Sequence, residues 1–157
     1  MRVGIGYDVH RLVEGRDLII GGIRIASEKG LDGHSDADVL IHAIIDALLG
    51  AAALGDIGVH FPDTNDKWKG ADSTRLLSHC LKLIEDAGFA ICNIDATVIL
   101  EKPKLQSHIS DIRGRLASIL GLTVEKVSIK ATTSEGIGFV GREEGAAAYA
   151  ICSMENR

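Results

Sequence analysis

The hydrophobic period changes several times along the chain of 157 residues, and these changes constrain its fold more than any other feature. At the start, Val3 and Ile5 alternate with Gly4 and Gly6, which is the period of a β-strand that leaves room for a close neighbour. After His34 the apolar residues recur every three or four positions, which predicts a helix. Strand and helix segments therefore follow one another along the sequence.

Turn and breaker residues divide the rest of the chain into further elements. Gly21 and Gly22 separate two short apolar runs, which predicts a two-residue β-hairpin, and residues 29–33 are typical of a loop. The remaining predicted elements are helices at 72–87 and 105–120 and strands at 89–100, 125–130 and 145–154. This order favours one α/β (α+β) domain over residues 1–157, a sandwich of a mixed β-sheet with helices on one face.

Charge and cysteine content exclude several classes of protein. A net charge of −5 argues against a surface that binds nucleic acid. Cys80, Cys92 and Cys152 are far apart and lack a Cys-x-x-Cys spacing, so neither a disulfide framework nor a thiolate zinc site is predicted. The sequence starts at once with a strand pattern and contains no run of membrane-spanning length. We expect a cytoplasmic protein, or a trimmed mature form such as one in the plastid stroma, with no membrane partner.

Three residues have the composition of a metal site. Side chains two apart in a strand point to the same side, so Asp8 and His10 can converge on one point, and His42 can complete the set from a helix. Three protein ligands with one open position are typical of a catalytic Zn²⁺ site. The alternative is a strand that ends in two polar side chains.

The start of the first predicted helix carries several carboxylates. Ser35, followed three residues later by Asp38, predicts a helix N-cap with an acidic first turn. Asp38, His42 and Asp46 are four residues apart and share one helix face. A metal-bound imidazole needs a partner for its second nitrogen, which Asp46 or Asp38 could supply, whereas the alternative is an exposed acidic face.

Two loops have the composition of ligand-binding segments. Residues 56–66 are polar, contain glycine and proline, and are long for a connection, which favours a binding loop. Residues 132–139 combine hydroxyl and carboxyl groups with glycines, a composition that suits an oxyanion-rich site and also any tight loop.

Several motifs in fixed order resemble the 2-C-methyl-D-erythritol 2,4-cyclodiphosphate synthase family over essentially the whole chain. The matching segments are 7–11, 33–43, 55–58 with 61–64, and 132–135 with 141–142. The resemblance implies a lyase of the non-mevalonate pathway of isoprenoid (terpenoid) biosynthesis. It would convert 4-diphosphocytidyl-2-C-methyl-D-erythritol 2-phosphate to the cyclic diphosphate and release CMP. It also implies a homotrimer with active sites between neighbouring subunits.

The same resemblance assigns roles to individual residues. Zn²⁺ would be held by Asp8, His10 and His42, and Glu135 would help to hold a second divalent ion, Mg²⁺ or Mn²⁺, on the diphosphate. The transition state would be stabilised by two residues, His34 and Thr133. The methylerythritol phosphate would contact Ser35, Asp56, Ile57, Gly58, Phe61, Pro62, Asp63, Thr64 and Asn65, next to Asp8, Val9, His10 and His34. The cytidine diphosphate would contact Leu100, Glu101, Lys102, Pro103, Lys104, Leu105, Gln106, Thr132, Thr133, Ser134 and Glu135.

Two further residues, Phe139 and Arg142, would complete the substrate site or line an axial channel of the trimer that binds an isoprenoid diphosphate. One departure stands at Asn65 and Asp66, where the family usually has Asp-Pro, so the first position loses a charge. Two rival interpretations remain open. One is a metal-dependent phosphohydrolase that uses the same three ligands, and the other is a trimeric isoprenoid-diphosphate-binding protein with a structural zinc.

Overall fold

The computed structural model describes residues 1–62, 64–65 and 68–157. Its strands are β1 (Arg2–Glu14), β2 (Leu18–Ile20), β3 (Ile23–Ile25), β4 (Lys29–Asp32), β5 (Phe89–Ile99), β6 (Val127–Thr132) and β7 (Gly145–Asn156). Its helices are α1 (Val39–Ala52), α2 (Ile57–His60), α3 (Ser73–Asp86), α4 (Ile109–Leu120) and α5 (Gly138–Gly141). Short 3-10 turns at Gln106–His108 and Val124–Lys126 precede α4 and β6.

Five strands form one mixed sheet in the order β4-β1-β7-β5-β6. The β5 and β6 strands run parallel, whereas the other neighbouring pairs are antiparallel. The hairpin of β2 and β3 forms a separate two-stranded sheet that pairs Ile20 with Ile23 across Gly21-Gly22. The predicted hairpin and the predicted mixed sheet are both confirmed.

Helix α1 lies directly against the middle of the sheet. An ideal Cβ built on Gly4 would lie 2.0 Å from the carbonyl oxygen of Ala47, and one on Gly6 would lie 1.9 Å from that of Ala43. Only glycine allows this approach, because any side chain would occupy the space of the helix backbone. The expectation of a close neighbour at these glycines is confirmed, and the neighbour is a helix.

The two faces of the sheet differ in what covers them. On the helix side, Leu40, Ile44 and Leu48 of α1 are fully buried. The opposite face, which we term the helix-free face, exposes large apolar side chains such as Val3 and Ile5, at 65% and 68%. Its exposed members are Val3, Ile5, Tyr7 and Val9 of β1 and Tyr149 and Ile151 of β7. The β1–β7 part of the helix-free face is therefore apolar and exposed, whereas its β5–β6 part carries Asp95, Thr97 and Lys130.

Two expectations for the N-terminal third are wrong. Residues 29–32 form strand β4, because they pair with residues 11–14 of β1, and their composition gave no sign of that partner. Strand β1 continues to Glu14, so Asp8 and His10 lie in its interior and the alternative of a strand end does not hold. An interior position holds both side chains at fixed spacing on one face.

The N-cap of α1 is Asp38 and not Ser35, which corrects a further expectation. Asp38 accepts a hydrogen bond from the backbone N–H of Ile41 at 3.1 Å. Ser35 accepts instead from the N–H of Ala37 at 3.2 Å. Ala37 adopts a left-handed φ of 57°, which no helix interior allows, so the helix begins only after it. In the part of the chain that the structure describes, no helix is long and apolar enough to cross a membrane.

Candidate metal centre and its pockets

Three side chains from β1 and α1 meet at one point. Oδ2 of Asp8 lies 2.9 Å from Nε2 of His10, and Nδ1 of His42 lies 3.1 Å from each of those two atoms. The strand period places Asp8 and His10 on its helix side, and the close approach of α1 brings His42 to them. The three potential ligand atoms therefore form a nearly equilateral triangle.

This triangle fits a small tetrahedral cation. Bonds of about 2.0–2.1 Å at tetrahedral angles place ligand atoms about 3.3–3.4 Å apart, slightly more than the separations in the cluster. A carboxylate oxygen and two imidazole nitrogens are also the donor types that Zn²⁺ accepts. The predicted group of Asp8, His10 and His42 is thus a candidate metal centre, and it is the one such group among the described residues.

Mutual contact between these groups changes their protonation. Burial acts to raise the pKa of Asp8, but the hydrogen bonds and charges of His10 and His42 outweigh it and lower that pKa to about 2. Burial acts to lower the pKa of His10, whereas Asp8 raises it, and the net shift is upward. The cluster therefore holds a carboxylate anion that attracts positive charge from a proton or a metal ion.

The outer nitrogens of the two imidazoles are hydrogen-bonded. Nδ1 of His10 donates to the backbone carbonyl of Asp32 at 2.8 Å. Nε2 of His42 lies 2.9 Å from Oγ of Ser73 and 3.2 Å from Oγ of Ser35. The partners of Nε2 of His42 are therefore two hydroxyl groups, whereas the sequence predicted Asp38 or Asp46.

The two aspartates of α1 serve other contacts. Asp38 is fully buried and also accepts from the N–H groups of Gly21 and Gly22 at 2.9 and 2.7 Å. Asp46 is partly buried and accepts from the N–H of Ile57 at 2.8 Å. The alternative of an exposed acidic face is therefore also wrong, because both carboxylates bind backbone N–H groups.

A pocket of about 480 Å³ opens beside the cluster. The predicted metal ligands and substrate contacts that line it are Asp8, His10, His34, Ser35, His42, Ile57, Gly58, Phe61, Pro62 and Thr64. Asp56 caps α2 by accepting from the N–H of Val59 at 3.0 Å, and the N–H of Asn65 donates to the carbonyl of Pro62 at 3.1 Å. The predicted contact Asp63 lies outside the described residues.

Some residues around this pocket have no counterpart in the sequence-based prediction. Trp68 and Leu76 line it, and the ring of Phe61 packs edge-on against Trp68 with centroids 5.1 Å apart. Arg16 donates to the carbonyls of Gly33 at 3.3 Å and Ser35 at 3.0 Å, which fixes the loop that carries His34. The one sequence signal was Trp68, the single tryptophan, within a polar segment.

Six of the predicted cytidine contacts line a second pocket, of about 440 Å³. The predicted residues that line it are Leu100, Lys104, Leu105, Gln106, Thr132 and Thr133. Oε1 of Glu101 accepts from the N–H of Ser134 at 2.7 Å, and the hydroxyl of Thr133 donates to Glu135 at 2.9 Å. Among the residues that the structure describes, none lines both this pocket and the one beside the metal cluster. Within one chain, Glu135 and Thr133 therefore lie in a separate region.

The remaining predicted contacts flank a third cavity. Val9, Phe139 and Arg142 line this space of about 600 Å³ with His10. The side chain of Val9 lies on the helix-free face, opposite to those of Asp8 and His10. Elsewhere, Lys102 precedes Pro103 through a cis peptide bond and pairs with Glu143 at 2.8 Å.

These features define a single-domain α+β protein with an Asp-His-His cluster between a central strand and the helix packed on it. Residues 1–155 match the sequence model of the YgbB family, and the chain belongs to that family. A 2-C-methyl-D-erythritol 2,4-cyclodiphosphate synthase from Salinibacter ruber is 60% identical over 156 residues, 99% of each chain. One from Alkaliphilus metalliredigens is 62% identical over 154 residues, 98% of this chain and 97% of that relative.

Solved structures agree with this assignment. The bifunctional IspDF from Campylobacter jejuni aligns with a TM-score of 0.96 and 40% identity, over 99% of this chain and 42% of that longer one. A 2C-methyl-D-erythritol-2,4-cyclodiphosphate synthase in a form bound to CDP aligns with a TM-score of 0.91 and 36% identity, over 98% of this chain and all of that one. The family and the fold predicted from the sequence are confirmed.

Proposed function

We propose that the protein is a cyclodiphosphate synthase that converts 4-diphosphocytidyl-2-C-methyl-D-erythritol 2-phosphate to 2-C-methyl-D-erythritol 2,4-cyclodiphosphate and releases CMP. The observation that carries the proposal is the triangle of Asp8, His10 and His42 at the edge of a pocket large enough for a sugar phosphate. The two relatives described above, which cover 98–99% of this chain, carry the name of that synthase.

The proposed reaction uses two metal ions, and the Asp8-His10-His42 cluster has the donor types for the first. Asp8, His10 and His42 would hold Zn²⁺, and Glu135 would contribute to a site for Mg²⁺ or Mn²⁺. When bound, the ions would neutralise charge on the phosphate oxygens. The hydroxyl of Thr133 donates to Oε1 of Glu135 at 2.9 Å, so an ion held by Glu135 would also bring the phosphates close to Thr133.

Cyclisation needs orientation more than acid–base chemistry. The 2-phosphate is already ionised at neutral pH and attacks the β-phosphorus, and the bond to the CMP oxygen breaks. No general base is required, so the protein has to align these groups. Ser35 and half-buried His34 border the pocket, while the carboxylates of Asp36 and Asp38 bind to protein groups outside it. Anionic groups near the phosphate are thereby turned away.

The test is the product mixture. We expect phosphorus NMR of protein with substrate, Zn²⁺ and Mg²⁺ to show the cyclic diphosphate and CMP in equal amounts. His42→Ala should bind no stoichiometric zinc and lose nearly all turnover, with circular dichroism of a folded protein. Free phosphate as the product would favour the phosphohydrolase. The absence of both products would contradict an enzyme of this type. Stoichiometric zinc and normal activity in the variant would contradict the role of His42.

We also propose a homotrimer in which each active site uses two chains. Two observations support it: the β1–β7 part of the helix-free face exposes large apolar side chains, and the metal pocket and the cytidine pocket are separate within one chain. Apolar patches of this kind mark interfaces. A neighbouring copy that covers the helix-free face could bring its Thr133 and Glu135 to the metal centre.

Ile5→Asp tests the shared site. This change places a charge on the helix-free face and should give monomers without CMP release. The matched control is Val124→Asp, which changes a residue 40% exposed in the turn before β6 and should leave trimer and activity intact. Sedimentation velocity and the CMP assay are run on the same samples. A monomeric Ile5→Asp protein with normal activity would refute the shared site.

The cavity beside Phe139 supports a proposed channel ligand. Arg11, Lys29 and Arg142 line it with Phe139 and could bind a diphosphate and an apolar chain. Calorimetric titration with an isoprenoid diphosphate should show binding that Arg142→Ala weakens. Equal affinity in that variant would contradict the proposal.

A further inference from the structure

A chain of buried polar contacts lies behind His42, on the side away from the metal cluster. Oγ of Ser73 lies 2.9 Å from Nε2 of His42, and the same hydroxyl donates a short hydrogen bond to Oδ1 of Asp36. The second carboxylate oxygen, Oδ2, accepts from the backbone N–H of Ser73 at 3.0 Å. Ser73 is fully buried at the first residue of α3. The carboxylate therefore binds both donors of this serine.

The direction of the protons follows from these contacts. A carboxylate only accepts, so the hydroxyl proton of Ser73 points to Asp36 and a lone pair of Oγ remains for His42. Nε2 of His42 must then be the protonated nitrogen that donates to Ser73. Its Nδ1 is left with a lone pair, and that atom faces Asp8 and His10. The ring is thus held in the one tautomer that can bind a metal ion from the cluster side.

We propose that Asp36 and Ser73 are positioning residues that hold His42 in its metal-binding tautomer and orientation. The inference rests on the metal centre of the proposed function. It extends the usual pairing of a metal-bound histidine with a carboxylate by inserting a serine hydroxyl between them. His10 reaches the same state by a simpler route, because its Nδ1–H donates to the carbonyl of Asp32.

Ser35 does not provide the same control. Its Oγ lies at 3.2 Å from Nε2 of His42, farther than that of Ser73, and it already accepts from the N–H of Ala37. Among the described residues no carboxylate accepts its proton, so it does not determine which nitrogen of His42 is protonated. The orientation of Asp36 is fixed further by its backbone, whose N–H donates to the carbonyl of Ala71 at 3.1 Å.

Two variants test the chain of contacts, with zinc affinity as the first readout. Ser73→Ala removes the acceptor. Asp36→Asn keeps the shape but leaves one acceptor oxygen where the carboxylate has two, so the N–H and the hydroxyl of Ser73 can no longer donate to separate oxygens. We expect each variant to lose about 10- to 100-fold in Zn²⁺ affinity, measured by competition with a chelating dye. The isosteric Asp36→Asn should lose at least as much as Ser73→Ala.

The second readout reports on the hydrogen bond itself. In the zinc-loaded protein with ¹⁵N-labelled histidine, the Nε2–H proton of His42 should be shifted downfield and protected from exchange with water. Ser73→Ala should abolish both properties. The matched control is Ser78→Ala, which removes a hydroxyl of the same helix that donates to the carbonyl of Thr74, and it should change neither readout.

The outcomes separate this proposal from the proposed function, since neither readout uses the substrate. A Zn²⁺ affinity within twofold of the wild type in both variants, or an unchanged Nε2–H signal in Ser73→Ala, would overturn only the positioning role of Asp36 and Ser73. A wild-type protein that binds no Zn²⁺ would overturn the metal centre and this positioning role together. If one variant does not fold, the Nε2–H signal of the wild type still tests the hydrogen bond to Ser73. A proton that exchanges rapidly with water would contradict that hydrogen bond.

Discussion

Gly6→Ala tests whether the contact between β1 and α1 sets the geometry of the metal centre. The new Cβ would lie 1.9 Å from the carbonyl oxygen of Ala43, whereas a Cβ essentially never lies within 3.0 Å of a non-bonded heavy atom. Strand and helix must therefore separate locally by about 1 Å. His42 is the neighbour of Ala43 in that turn. Its distance of 3.1 Å to Asp8 would rise to about 4 Å, beyond the spacing of ligands on a tetrahedral ion with bonds of about 2.0–2.2 Å.

We expect two effects from this single methyl group. Overpacking should lower the free energy of unfolding by about 1–3 kcal/mol or more, measured by urea denaturation of the metal-free protein. The affinity for Zn²⁺ should fall by at least about 10-fold, because the ligands no longer converge. Gly114→Ala is the control, since its Cβ meets nothing within 4 Å inside α4. That variant should gain about 0.5–1 kcal/mol at unchanged zinc affinity. Gly6→Ala with wild-type stability and zinc affinity would refute the reasoning.

Three further predictions concern single side chains. Asp46→Ala removes the acceptor for the N–H of Ile57 and should raise KM about 10-fold in the CMP assay, with zinc binding unchanged. Thr133→Ala should lower kcat more than it weakens CDP binding measured by calorimetry, and equal changes would contradict a role in the transition state. Burial raises the pKa of Asp38 to about 6, although three backbone N–H donors act to lower it. Between about pH 4 and 6 the folded protein therefore binds more protons at Asp38 than the unfolded chain does. The free energy of unfolding of the metal-free protein should therefore fall by about 3 kcal/mol as pH rises through this window, relative to Asp38→Asn.

Elements with a clear period were predictable, and those defined by a partner were not. The alternation of residues 89–100 predicts strand β5 because one face of it is buried against the helices. Strand β4 has four residues with no such alternation, and only its pairing with β1 makes it a strand. The start of α1 was misplaced because the left-handed backbone of Ala37 cannot be foreseen from an alanine.

The same distinction applies to the site. The spacing of Asp8 and His10 is local, so the strand period alone predicted that both point to one side. Ser73 lies 31 residues from His42 and 37 from Asp36, and only the docking of α3 on the loop before α1 joins them. In the sequence, Ser73 stands only near the start of the helix predicted at 72–87, and Asp36 is one of several carboxylates at the start of the first predicted helix. Contacts of this kind depend on tertiary packing, which no local pattern encodes.

The position of the acidic residues explains how a chain with a net charge of −5 can present a phosphate site. Asp36 binds Ser73, Asp38 binds the β2–β3 turn, and Asp46 binds α2. Each of these carboxylates accepts backbone N–H groups in the protein, so its charge stabilises local structure instead of facing the pocket. Among the described residues that line the pocket, Asp8 is the one acid, and it is paired with two imidazoles. Of these four carboxylates, one thus faces the candidate metal centre and the other three accept backbone N–H groups, so their charges do not oppose a phosphate in the proposed site.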